Sequence, residues 1–248
     1  MRGRESGFSL TELAIVMAIV GILLASAMFT LSAQSEQRNR DETQRRLEEA
    51  KELVLGFAVV NRRLPCPGTT TGDEAGGDTV ACTNNFVGFL PARTIGFQPI
   101  DTSGFGLDGW GSRIRYAVSA TTWGTGNAAR FTKKHAATDL TAAWSLDKAP
   151  DDLVVCSQAP TVLPTACDSG YSVTNANTVV VIVFSTGKNT STGGGTGTNE
   201  ARNVNSNRLF VFRPPDPSTA AGGEFDDQMI WIPVGLLYGR MIAAGVLP

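Results

Sequence analysis

Residues 7–31 read "GFSLTELAIVMAIVGILLASAMFTL". No charged residue occurs from Leu13 to Leu31, and about 20 apolar residues suffice to cross the hydrocarbon core of a bilayer. This run therefore predicts a single membrane-spanning helix. Arg2 and Arg4 precede it, and positive residues hold their end of such a helix in the cytoplasm. We expect the rest of the chain to lie on the other side of the membrane.

Glu12 stands directly before the apolar run, where a charge is costly and usually has a purpose. It can favour the start of the helix, because the spacing from Ser9 to Glu12 in "SLTE" is that of a capping box and an acid is stabilised at a helix N-terminus. A cleaved signal peptide is the alternative for the whole segment, with Ala33 near its cleavage site. Glu12 is not expected in a signal peptide.

The order of these features resembles the prepilin motif of type IV pilins and type II secretion pseudopilins: a short basic leader, Gly7, Phe8, three residues, Glu12 and a long apolar run. The resemblance implies that a prepilin peptidase cuts between Gly7 and Phe8 and methylates Phe8. The apolar helix then stays in the mature chain. The net charge would change from -2 to -3, because Arg2, Arg4 and Glu5 leave with the leader.

Cleavage would supply Glu12 with a partner. It creates a positive α-amino group on Phe8, which the Glu12 carboxylate of a neighbouring subunit can meet in a filament core. Such pairing offsets the desolvation of both charges. We therefore favour an assembly role for Glu12, which is compatible with its helix-capping role.

The helix is predicted to continue to about Val60, because no proline occurs before Pro65 and good helix formers dominate. Its length would be on the order of 75–80 Å. Arginines and acids alternate through residues 36–49, which favours a solvated, salt-bridged face over a nucleic-acid patch. An apolar stripe follows at three- and four-residue steps, formed by Leu47, Ala50, Leu53, Val54, Phe57 and Val60.

Four cysteines are present, without the short C-x-x-C step of a zinc ribbon or thioredoxin-like site. The export-like start favours disulfides over a redox-active pair. Three connectivities are open. We favour the one in which both disulfides close short loops, Cys66–Cys82 and Cys156–Cys167.

The fold class predicted for the chain is α+β and pilin-like. One long N-terminal helix, hydrophobic in its first half, would pack on an antiparallel, meander-like sheet with disulfide-stapled loops and a short C-terminal helix. Residues 66–112 are expected to form a long structured loop. The continuous β-branched run Val179–Phe184 predicts a central strand. The remaining predicted strands are Arg113–Ser119, Ala128–Thr132, Leu153–Cys156, Arg208–Phe212 and Gln228–Ile232.

The chain is expected to divide into four parts: a leader at 1–7, a transmembrane or filament-core helix half at 8–33, an amphipathic helix half at 34–62 and a periplasmic, β-rich globular domain at 63–248. Within that domain, "DGWGSRIRY" at 108–116 resembles the Asp-x-Trp-Gly turn and following strand of major pseudopilins.

No catalytic site is indicated by the sequence, which has a single histidine, His135. The stretch "STGKNTSTGGGTG" lacks the glycine and hydroxyl residues of a phosphate loop, and residues 186–207 are interpreted as a surface loop. The acids Glu224, Asp226 and Asp227 can offer oxygen ligands to calcium. They match no recognised calcium-loop pattern, so a solvated turn is favoured and no cofactor is predicted.

The resemblance implies a non-enzymatic subunit, a minor pilin or pseudopilin, of a type IV pilus or type II secretion filament. Its expected partners are the prepilin peptidase and methylase, other pilin or pseudopilin subunits and the inner-membrane assembly platform; no nucleic acid is clearly indicated. It would reside in the inner membrane with a periplasmic C-terminal domain and then enter a filament. The alternative is a membrane-anchored module for adhesion or DNA uptake.

Overall fold

A computed structural model describes residues 9–123, 128–134, 150–160, 166–189, 198–205, 207–220 and 222–247, and only the backbone of residues 24–33, 123, 128 and 198. Its elements follow one another in the order α1 (Leu10–Asn61), β1 (Gly88–Phe89), α2 (Ala92–Ile95), β2 (Arg115–Val118), β3 (Thr122–Trp123), β4 (Ala128–Ala129), β5 (Val154–Cys156), β6 (Val179–Ser185), α3 (Thr198–Asn203), β7 (Leu209–Val211), β8 (Gln228–Pro233) and α4 (Val234–Ala243).

The long helix α1 is confirmed with 52 residues, which corresponds to about 78 Å at 1.5 Å per residue. At its start, the Ser9 hydroxyl accepts a hydrogen bond from the backbone N–H of Glu12 at 3.2 Å, as expected of an N-cap. At its end, Arg62 adopts a left-handed conformation with φ 57°, and its N–H donates to the Ala58 carbonyl at 2.8 Å. The chain therefore leaves the helix three residues before Pro65.

The main sheet has four antiparallel strands in the order β1-β2-β6-β8. Strand β6 lies between β2 and β8, with Val183 opposite Tyr116 on one side and Ile230 on the other. All seven of its residues are buried, because both faces of the sheet are covered. This burial explains the continuous apolar run, and the predicted central strand is confirmed.

Helices α1 and α4 cover one face of the sheet. The apolar stripe of α1, which includes Leu47, Ala50 and Val54, belongs to the same buried cluster as Tyr116 and Val183 of the sheet. The strand pair β5–β7 covers the opposite face, where a second cluster contains Leu153, Val155, Ile182, Phe184 and Phe210. The body is thus three layers deep, with the main sheet in the middle.

Two expectations about the strands need correction. Strands β5 and β7 pair in parallel and form a sheet of their own, so the body is not one antiparallel meander. The segment 66–112 is not a loop throughout, because it contains β1 and α2. Predicted strands and the C-terminal helix are otherwise present, although the strand expected over Ala128–Thr132 is limited to β4, which pairs with β3.

Both favoured disulfides are present. Cys66 and Cys82 lie 5.4 Å apart between Cα atoms, and Cys156 and Cys167 lie 5.6 Å apart. The first crosslinks the segment that follows α1, and the second joins β5 to the segment after it.

Within the described ranges, no helix is long and apolar enough to cross a membrane.

Candidate functional site

The first half of α1 presents apolar side chains on all its described faces. Every described side chain from Leu10 to Leu23 is exposed, and the exposed fractions of the large ones run from 43% for Val20 to 86% for Leu10. Apolar surface of this extent normally marks a protein or membrane contact. Glu12 lies at the start of this surface, and its own side chain is exposed.

The second half of α1 is fixed to the body by the turn that contains Asp108 and Gly109. The Arg46 guanidinium donates to the carbonyl oxygens of Asp108 at 2.5 Å and Leu107 at 3.1 Å. The Thr43 hydroxyl accepts from the backbone N–H of Gly109 at 2.9 Å. These bonds hold the turn flat against the helix, one turn before the apolar stripe begins.

Asp108 organises that turn from a buried position. Its Oδ1 accepts from the backbone N–H groups of Trp110 at 2.9 Å and Ser112 at 2.7 Å. Its Oδ2 accepts from the Ser185 hydroxyl at the end of β6, at 2.5 Å. Burial raises the pKa of this carboxyl, against the opposing effect of these hydrogen bonds. The "DGWGS" turn thus joins α1 to the central strand.

A second connection lies nearer the apolar half. Lys188, which follows β6, forms ion pairs with Glu224 at 2.8 Å and with Glu36 of α1 at 3.5 Å. The Gln228 amide, at the start of β8, donates to the Arg40 carbonyl at 3.2 Å. Along α1, the contacts with the body therefore begin at about Glu36.

Two of the three acidic residues predicted to form a solvated turn, Asp226 and Asp227, are instead buried. Asp226 is 1% exposed and Asp227 4%, and they lie with Glu200 of α3, which is fully buried. One oxygen of each carboxyl lies within 4.8 Å of the others. Glu224 does not join them, because it pairs with Lys188. The turn folds inward because backbone N–H groups of Asp226 and Lys188 donate to these carboxyls.

This cluster does not fit calcium, which takes six to eight oxygen ligands. Both oxygens of Glu200 accept hydrogen bonds, from Asp226 N–H at 2.7 Å and Asn189 Nδ2 at 2.9 Å. One oxygen of Asp226 and one of Asp227 are likewise engaged. Among the described residues, the only oxygens of these three carboxyls without a hydrogen bond are Asp226 Oδ1 and Asp227 Oδ1. Three carboxyls that already accept backbone and amide hydrogen bonds do not present six to eight free oxygens. We derive no metal chemistry from the cluster.

The surface loop predicted over 186–207 is corrected in its described parts. Residues Thr198–Asn203 form α3, and the Asn203 side chain is buried against β7. Its Oδ1 accepts from the Val211 N–H at 2.6 Å and its Nδ2 donates to the Val211 carbonyl at 3.0 Å. Asn203 therefore occupies the open edge of β7 as a neighbouring strand would.

Of the residues predicted to matter, Gly7 and Phe8 lie outside the described residues, as does His135. The four cysteines form two disulfides. The contacts of Thr43 and Arg46 with the body were not predicted from the sequence. Thr43 carried a usable signal, because it lies four residues before Leu47 and so extends the buried stripe by one turn.

Residues 2–28 match the model of the prokaryotic N-terminal methylation motif. The chain therefore carries the signature of type IV pilins and pseudopilins, joined to an α+β body. The motif suggests a structural subunit that is anchored in the membrane before it enters a filament, and it implies a prepilin peptidase and other pilus subunits as partners. No curated protein and no solved structure shows significant similarity to the chain.

Proposed function

We propose that this chain is a non-enzymatic structural subunit, a minor pilin or pseudopilin, of a type IV pilus or type II secretion filament. The proposal rests on one observation: the methylation motif and the exposed apolar side chains lie on the same helix segment. The methylation motif at residues 2–28 covers the helix segment whose apolar side chains are exposed from Leu10 to Leu23. An exposed apolar helix suits a segment that is first an anchor and then a filament core.

The proposed processing step is cleavage between Gly7 and Phe8, followed by methylation of Phe8. The leader 1–7 is removed, the segment 8–33 serves as membrane and filament helix, the segment 34–62 carries the body, and 63–248 is the periplasmic domain. The inner-membrane assembly platform would then extract the subunit into the filament.

Glu12 is proposed to set the register between subunits by pairing with the Phe8 amine of a neighbour. Its exposed position on the first turn of α1 leaves the carboxylate free to reach another chain. The Ser9 cap uses the backbone N–H of Glu12, so capping does not consume the carboxylate.

The test is a Glu12→Ala variant expressed in the native host and scored for recovery in sheared filaments. Glu49→Ala is the matched control, since Glu49 is also an exposed acid on α1. We expect Glu12→Ala to remain in the membrane fraction and to be lost from filaments, whereas Glu49→Ala enters them normally. Normal recovery of Glu12→Ala in filaments would contradict the assembly role.

A further inference from the structure

Three buried carboxyl groups meet where α3 packs against the segment leading into β8. Glu200 is 0% exposed, Asp226 1% and Asp227 4%. Isolated buried carboxylates are strongly disfavoured, and two that lie in contact cannot both remain ionised at low cost. The cluster therefore needs either cations or protons to be stable.

The described cations do not neutralise the cluster directly. Lys188, after β6, has its ammonium group on Glu224 and on Glu36 of α1. Its backbone N–H donates to Asp226, and its charge lowers the pKa of Asp226 without forming a described salt bridge to it. Arg115 of β2 acts on Asp227 through its charge, and no described salt bridge joins them. Glu224 adds a further negative charge near Asp226. The balance of charge around the three carboxyls is negative.

Two oxygens in the cluster, Asp226 Oδ1 and Asp227 Oδ1, are buried and have no hydrogen-bond donor among the residues that the structure describes. One oxygen of Glu200 lies within 4.8 Å of one of Asp226, and a proton on one of these two carboxyls can hydrogen-bond to the other. A proton on this pair supplies a donor that the described protein groups do not.

We propose that Glu200 and Asp226 share a proton that latches α3 onto the segment before β8, and that the latch weakens as the pH rises past neutrality. Burial supports this, because it raises the pKa of Glu200 to about 7, with the contact to Asp226 acting in the same direction. The pKa of Asp226 is also raised by burial. The inference concerns the body alone and does not depend on filament assembly.

The direction of the pH effect on stability follows from how tightly Glu200 holds its proton in the folded and in the unfolded chain. The unfolded chain releases the Glu200 proton near the ordinary value of 4.5, whereas the folded chain holds it to about 7. The stabilisation is therefore complete below 4.5 and is lost as the pH rises through about 7. The structural consequence lies at β7, because Asn203 of α3 holds the Val211 N–H and carbonyl.

The test compares thermal unfolding of the detergent-solubilised full chain from pH 5 to pH 8.5 in wild type, Glu200→Gln and the exposed control Glu49→Gln. Glutamine imitates the protonated carboxyl and does not titrate. We expect the wild type and the control to lose at least about 4 °C in Tm over this range, and Glu200→Gln to lose less than half as much. Hydrogen exchange at Val211, corrected for its intrinsic rate, should accelerate with pH in the wild type and in Glu49→Gln but not in Glu200→Gln.

Equal pH dependence in wild type and Glu200→Gln would overturn the proposal. A rise in Tm at pH 8 on adding calcium that is reversed by chelation and is seen in the wild type but not in Glu200→Gln would also overturn it, since a metal ion would then occupy the cluster. If Glu200→Gln does not fold, the infrared spectrum of the wild type decides. It must show a protonated carboxyl band at pH 6 that disappears by pH 8.5, and its absence at pH 6 would refute the latch.

Discussion

The backbone of Gly109 lies against α1 so closely that its N–H donates to the Thr43 hydroxyl at 2.9 Å. A Cβ atom at position 109 would lie 2.3 Å from the Asn39 carbonyl oxygen and 2.9 Å from Thr43 Oγ1. Both neighbours belong to the helix itself. The turn and α1 can therefore approach in this way only if residue 109 has no side chain.

Replacing Gly109 by alanine should destabilise the body by about 1–3 kcal/mol, the usual effect of overpacking. Chemical unfolding monitored by circular dichroism measures the change. Gly56→Ala is the matched control. Gly56 lies on α1, and a Cβ atom there would meet nothing within 4 Å. The control should be neutral or gain up to about 1 kcal/mol. Equal stability of the two variants would refute the close approach.

Asp108→Ala should cost about 3 kcal/mol, because it removes the acceptor of three hydrogen bonds, from two half-buried backbone N–H groups and from the buried Ser185 hydroxyl. Asp108→Asn is the informative comparison. Its Oδ1 still accepts from Trp110 and Ser112, and the Ser185 hydroxyl can turn to accept from the new amide. The asparagine variant should therefore lose no more than about 1 kcal/mol in the same unfolding measurement. Equal losses would show that these hydrogen bonds do not hold the turn.

Removing either disulfide should lower the free energy of unfolding by about 3 kcal/mol, since each closes a loop of 11–16 residues. The double variants Cys66→Ala/Cys82→Ala and Cys156→Ala/Cys167→Ala test this separately. Thiol alkylation of the denatured, unreduced wild type should label no cysteine. Labelling of any cysteine in that sample would contradict the pairing.

Arg62→Gly should stabilise the chain by about 1 kcal/mol, because Arg62 ends α1 in the left-handed region that glycine adopts without strain. The same change at Arg38, an exposed position inside the helix, should instead cost about 1 kcal/mol. Thermal unfolding of the two variants measures both changes in stability, the gain in Arg62→Gly and the loss in Arg38→Gly. A destabilised Arg62→Gly would indicate that the arginine side chain makes a contact worth more than the backbone strain.

The sequence predicted those elements whose pattern is local. The extent of α1 followed from helix-forming residues and the step of its apolar stripe, and β6 followed from a run of β-branched residues that both layers bury. The parallel pairing of β5 with β7 was missed, because these strands are more than 50 residues apart and no local pattern encodes the direction of pairing.

The inward turn of Asp226 and Asp227 was missed for a different reason. Acidic residues are solvated by default, and their burial depends on donors from Lys188 and Asn203, which reach them only in the folded chain. Asn203 gave no sequence signal of its own, since its role is to pair with the backbone of Val211. Tertiary hydrogen bonds of this kind have no period that can be read along the chain.

The central claim is that the helix starting near Ser9 remains in the mature protein as a filament segment, and the mass of the mature N-terminus tests it most directly. Mass spectrometry of the chain isolated from its native membrane or filament should find Phe8 as the first residue, carrying one methyl group on its amine. A Gly7→Val variant should keep the leader, whereas the control Gly3→Val should be processed normally. A mature chain that begins near Gln34, or one that retains Met1, would contradict the account.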